Sequence, residues 1–198
     1  MTPTRRILRS GKVRLTLLGA SAFALAGCFH EQVEATVFPD ADSCRAASDS
    51  PTAELSAEEC EAAYAEALAE HERTAPRYDA LEVCEEEHGG QCYVDEQGGG
   101  GGGSIFLPLL AGYMIGNMLG GGARGLKSQP LYATKNGRYA TANGSTTLSS
   151  NRGRTSVSPA SFKAAPTTAG TRPMSRTAVQ KTGGFGAART GASRSFGG

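Results

Sequence analysis

The sequence has no tryptophan and only seven phenylalanines and six tyrosines among its 198 residues. So few large rings exclude one extensive core running through the whole chain. Acids are missing from the first 27 residues and from everything after residue 97. No apolar run reaches the roughly 20 residues that a membrane-spanning helix needs. No C-x-x-C pair, His-rich metal spacing or Ser/His/Asp order occurs, and the glycine run 98–103 lacks the Gly-Lys-Ser/Thr that would make it a phosphate loop. These absences exclude the common zinc, triad and nucleotide-binding signatures, and an enzyme is not expected.

The charges are sorted by segment. Residues 1–27 hold five basic residues and no acids, residues 28–97 hold all 19 acids with only Arg45, Arg73 and Arg77, and residues 98–198 hold twelve basic residues and no acids. The segments therefore carry +5, −16 and +12, which together make the formal net charge of +1. Segregation this complete points to distinct functional parts. Glycine is equally uneven, with 22 of 27 lying after residue 97.

Arg5, Arg6, Arg9, Lys12 and Arg14 precede an apolar stretch over residues 15–26, the pattern of a secretory leader. It ends in Leu25-Ala26-Gly27-Cys28, a lipoprotein-type box that makes residues 1–27 a signal peptide and Cys28 the lipidation site. Several acyl chains on one cysteine anchor firmly where a single chain is marginal. With Phe29 rather than Asp next to it, the expected address is the outer membrane, facing the periplasm.

The acidic segment 28–97 then holds Cys44, Cys60, Cys84 and Cys92, an even number in an exported chain, so two disulfides are expected. Ser56 and Glu59 form a capping box that opens a helix to about Arg73, with Cys60, Tyr64, Ala67, Leu68 and His71 on one face. Asp79 and Glu82 repeat the signal for a second helix stopping at Gly89. Helix rise places Cys60 about 21 Å from the corner. This leans slightly to Cys60–Cys92 with Cys44–Cys84, and the local pairing Cys44–Cys60 with Cys84–Cys92 stays open. The expected fold is a small all-α one: a disulfide-stapled helical hairpin, a glycine linker over 98–103, an apolar segment over 104–126 and a largely disordered basic tail over 127–198. Gly112, Gly116 and Gly120 are spaced by four, and on a helix they would form a glycine zipper for self-association or shallow membrane insertion. Within the tail, Asn136-Gly137 marks a hairpin joining Leu131-Tyr132 to Arg138-Tyr139.

His71 and His88 lie among glutamates, and solvated helix faces explain them better than a metal site does. Glu85, Glu86 and Glu87 have no visible apolar pocket to tune a pKa. No metal or cofactor is expected. The basic tail suits either an anionic envelope polymer or the chain's own acidic segment; an exported protein has no nucleic acid to bind.

Thr74-Ala75-Pro76-Arg77-Tyr78, Cys84 through Gly89-Gly90-Gln91-Cys92, Pro108-Leu109-Leu110-Ala111-Gly112-Tyr113-Met114-Ile115-Gly116, Gln129-Pro130-Leu131-Tyr132, Gly183-Gly184-Phe185-Gly186 and the closing Gly197-Gly198 occur in that order. Together they resemble the YgiB-like family of uncharacterised bacterial lipoproteins. The resemblance implies a lipid-anchored envelope protein with no catalytic residues to carry over. It also implies a neighbouring acid–amine ligase, which makes the terminal Gly197-Gly198 carboxylate an alternative role as a modification substrate.

Overall fold

The computed structural model describes residues 32–96, 103–118 and 125–187. The chain divides into two units, Met1–His30 and Glu31–Gly198, and every described residue lies in the second. Cys28, His30, Gly120 and Gly197-Gly198 lie outside the described residues.

Strand β1 (Val33–Phe38) leads into helix α1 (Ala41–Ser48), whose N-terminus is capped by Asp40 accepting from the Ser43 N–H at 2.7 Å. Helix α2 (Ala57–Thr74) opens with both halves of the capping box: the Glu59 N–H donates to Ser56 Oγ at 3.2 Å, and the Ser56 N–H donates to Glu59 Oε2 at 2.8 Å. Helix α3 (Leu81–His88) ends at Gly89 in the left-handed conformation. Its N-cap is Ala80, with no side-chain cap, so the expected Asp79 signal is not used. Then follow β2 (Cys92–Val94), β3 (Phe106–Pro108), β4 (Gly112–Met118), β5 (Gly125–Ala133), β6 (Tyr139–Thr141), β7 (Thr147–Leu148), β8 (Gly153–Val157), a 3₁₀ turn (Pro159–Phe162) and helix α4 (Arg176–Thr182).

Six of the strands form one antiparallel half-barrel sheet in the order β7-β6-β5-β4-β1-β8, and β2 pairs with β3 apart from it. The all-α expectation is therefore overturned: the protein is mixed α/β. The supposed zipper segment is central strand β4, paired with β1 through Tyr113↔Phe38 and Ile115↔Thr36 and with β5 through Tyr113↔Pro130. Tyr113, Met114, Ile115 and Gly116 are all buried. A strand covered on both faces reads as an unbroken apolar run, the same pattern that a buried helix gives. That ambiguity misled the helical reading.

On one face, Phe38, Tyr113 and Ile115 pack with Cys44, Cys60, Ala63 and Ala67 of α1 and α2. On the other, Ala35, Val37, Met114 and Leu131 pack with Val157 and Phe162. Gly116 has its place here for a different reason from the one expected. The Phe162 ring lies against it, and a methyl group at that position would collide with the ring.

The tail is likewise corrected. Residues 125–187 contain four strands, the 3₁₀ turn and α4. The Asn136-Gly137 hairpin is present, with Leu131↔Thr141 and Ala133↔Tyr139 paired and Gly137 at φ 69°. Beyond β8 the chain passes the C-terminal end of α2 and the segment after it: the Thr168 N–H donates to Arg73 O at 2.9 Å and the Met174 N–H to Arg77 O at 2.7 Å. Val179 of α4 is then buried against Tyr78, Val83 and Cys84. These apolar residues have no periodicity of their own because each fills a gap in a core that other segments build.

The disulfides are Cys44–Cys60 and Cys84–Cys92, the local pairing, so the slight lean to the long-range one was wrong. The hairpin geometry behind that lean does not exist: Cys44 sits on α1 beside α2, and β2 turns back directly from α3. Loop closure alone makes the bridges worth about 3 and about 2.5 kcal/mol. Reduction should therefore lower the denaturant midpoint of the domain, with α1 losing hydrogen-exchange protection first. Gly116→Ala should destabilise by about 1 to 3 kcal/mol through overpacking, measured as a lowered urea midpoint; an unchanged midpoint would show that Phe162 does not hold this position.

Candidate functional site

Helix α2 carries His71 and helix α3 carries His88, and strands β2 to β8 separate them from α4 in chain order. Both rings are buried, at 6% and 3% exposure, which overturns their expected placement on solvated faces. His71 bonds Tyr132 Oη at 3.0 Å through Nδ1 and Tyr93 Oη at 2.8 Å through Nε2. It also stacks on Tyr132 with ring centroids 5.6 Å apart. His88 Nδ1 lies 2.7 Å from the Ala133 carbonyl, which can only accept, so this nitrogen carries the proton. Its Nε2 is left to accept from the Tyr78 hydroxyl at 2.8 Å.

The network is uncharged near neutral pH. Burial, helped by the Arg77 charge, pulls His71 down to about 4. Burial also pulls His88 down to about 4, against the opposing effects of the Ala133 carbonyl and Glu87. Tyr78 and Tyr132 are pushed up, chiefly by burial and then by nearby Glu87 and Tyr93 respectively. A general acid or base works best with a pKa near the operating pH, and none of these groups is placed there. Their chemistry is that of neutral hydrogen bonding in a desolvated setting, where a lost partner is costly.

Phe185 closes the cluster from the far end of the chain. Its ring centroid is 4.4 Å from that of His88 and 6.0 Å from that of Tyr132. Its N–H donates to the buried Glu87 carboxylate, which Lys135 pairs at 3.2 Å. Gly184, at φ 90°, passes so close that an added Cβ would lie 2.5 Å from Glu87 Oε2. On the solvent side, Tyr93 is 38% exposed and leads from His71 into a cleft of about 660 Å³ walled by Arg77, Asp95 and Leu107. Arg77 is itself buried, paired with Asp95 at 3.3 Å and donating to the Glu72 carbonyl and Thr168 Oγ1 at 2.9 Å each.

Sequence reasoning did not find this site. Tyr93, His71 and Tyr132 are brought together across 61 positions, and neither helical nor strand periodicity records that. The usable signal is the set of quoted motifs: Arg77 and Tyr78, His88, Tyr132 and Phe185 fall in or between them, and all meet here. Among the other predicted residues, Glu86 pairs with Arg176 at 2.5 and 3.0 Å, and Gly112 and Gly116 lie on β4. Among the described residues no three His, Cys, Asp or Glu side chains gather as a metal-holding group.

A family model described as a protein of unknown function (DUF1190) matches residues 32–196. The chain belongs to this family. The match spans every strand, helix and disulfide described above, in keeping with the YgiB-like resemblance. No solved structure matches the chain.

The histidines set an acid limit on the domain. Their folded pKa values, near 4, lie below the ordinary value of 6.5. The unfolded chain therefore takes up more protons between those limits, and stability falls as the pH drops from about 6.5 toward 4. Each histidine contributes up to about 3 kcal/mol of that loss. Urea midpoints measured from pH 7.5 to 4 should fall accordingly, and a flat profile would contradict the buried neutral rings.

Proposed function

We propose that the protein is a non-catalytic, lipid-anchored component of the bacterial cell envelope with a structural or interaction role, its folded domain tethered to the outer membrane through Cys28. The observation that carries the non-catalytic part is the closed His–Tyr network. Every ring nitrogen of His71 and His88 is spent on an internal partner, and the groups are tuned away from neutral-range proton transfer. The lipid anchor rests on the leader and the Leu25-Ala26-Gly27-Cys28 box, and two disulfides within one family domain suit an oxidising compartment.

The basic C-terminal half supports a rigid display role over a free polyanion-seeking tail. Its cations meet the acidic segment at Lys127–Glu66, Lys135–Glu87, Arg154–Glu54 and Arg176–Glu86. Each exposed pair adds only about 0.2 to 1 kcal/mol. Together they leave less charge for an external partner than the sequence suggests.

Metabolic labelling with a palmitate analogue tests the anchor. The wild-type chain should be labelled and sediment with outer membrane, and Cys28→Ser should lose both properties while keeping its disulfides. An unlabelled wild-type chain in the soluble fraction would reject the reading.

A further inference from the structure

Beside the Cys44–Cys60 bridge lies a groove of about 400 Å³, of the size that small-molecule sites have, with Val37, Phe38, Pro39, Ala47, Ala53 and Leu55 among its lining residues. Arg152 and Arg154 stand at this groove and also line a second cleft of about 480 Å³. The second cleft is walled largely by hydroxyls, including Thr147, Ser149, Ser150 and Ser156, and by Arg138. One carboxylate, Glu54, lines the pair of cavities, and Arg154 neutralises it at 2.7 Å.

Arg138 and Arg152 are therefore left without an ion pair, and Arg138 donates to the Thr147 carbonyl at 3.5 Å. Among the described residues the exposed Arg152 guanidinium makes no hydrogen bond or ion pair. The acid that acts on it through space, Asp40, is committed to capping α1 through the Ser43 N–H. An apolar groove, an unengaged arginine and a hydroxyl-lined cleft thus adjoin one another. A guanidinium is suited to phosphate recognition through paired N–H donors.

The geometry points to a binding site for an anionic membrane lipid, with one acyl chain in the apolar groove, its phosphate on Arg152 and its polar headgroup in the hydroxyl-lined cleft. An acyl chain matches the apolar lining, and the excess positive charge selects an anionic headgroup over a zwitterionic one. The site goes beyond the anchoring at Cys28 and does not need it, because the ligand is a separate lipid molecule.

Photolabelling tests it on the full-length chain in non-ionic detergent. The probes are phosphatidylglycerol and phosphatidylcholine, each with a diazirine in the acyl tail, and the label is mapped by peptide mass spectrometry. Label should concentrate on the peptide covering residues 37–55, with phosphatidylglycerol preferred. Arg152→Glu should lower phosphatidylglycerol labelling about tenfold, the size expected for one charge-assisted contact. Ala47→Trp, which fills the groove without changing charge, should lower labelling by both lipids. Label scattered over the surface, or groove labelling equal for both lipids and unmoved by Arg152→Glu, would overturn the proposal. The same measurement on Cys28→Ser separates the two readings: retained labelling keeps this site even if the anchor fails.

Discussion

With Tyr113 and Ile115 covered by α1 and α2, and Met114 covered by Leu131, Val157 and Phe162, the stretch of strand β4 from Tyr113 to Gly116 has no face left for water. The other parts follow from that constraint. A strand buried on both sides needs a layer on each, and the chain is too poor in large apolar residues to supply two separate cores. It draws on the helical segment for one side and on the C-terminal segment for the other. Phe162 lies in space that only a glycine at position 116 leaves open. The acidic and basic halves are thus parts of one domain, although their compositions suggest independent modules.

The His–Tyr network shows the same economy in polar form. His71 on α2, Tyr132 on β5 and Tyr93 on β2 are held by two hydrogen bonds, and His88, Tyr78 and Phe185 complete a second cluster beside them. Burial holds the rings neutral, and neutrality lets them stay buried. Motifs separated by more than a hundred residues share this one locus, which gives the family resemblance a physical meaning: they are the pieces of a single packing arrangement.

Local features were legible in advance. The Ser56–Glu59 capping box, the α2 face holding Cys60 and Ala67, the Gly89 stop and the Asn136-Gly137 hairpin all depend on residues a few positions apart. The wrong readings depended on distant partners. Asp79 was expected to cap α3, but its N–H donates to the distant Met174 carbonyl at 3.2 Å and Ala80 takes the cap position. Gly112 and Gly116 have helical spacing, but β1 and β5 supply ladder partners on either side. The tail's scattered Phe162, Val179 and Phe185 look like disorder until the pockets that receive them are present.

Composition and order along the chain by themselves determined the basic-then-apolar pattern of the first 27 residues, the Leu25-Ala26-Gly27-Cys28 run, the even set of four further cysteines and the separation of charge into −16 and +12 segments. Only the tertiary structure decided that those segments fold onto each other, that the cysteines pair locally, and that Tyr78, Tyr93, Tyr132 and Phe185 meet around His71 and His88. The physical reason is range. Caps, turns and signal peptides are written within a few residues, whereas sheet pairing and burial are settled by whichever surfaces can cover one another after the chain has come together.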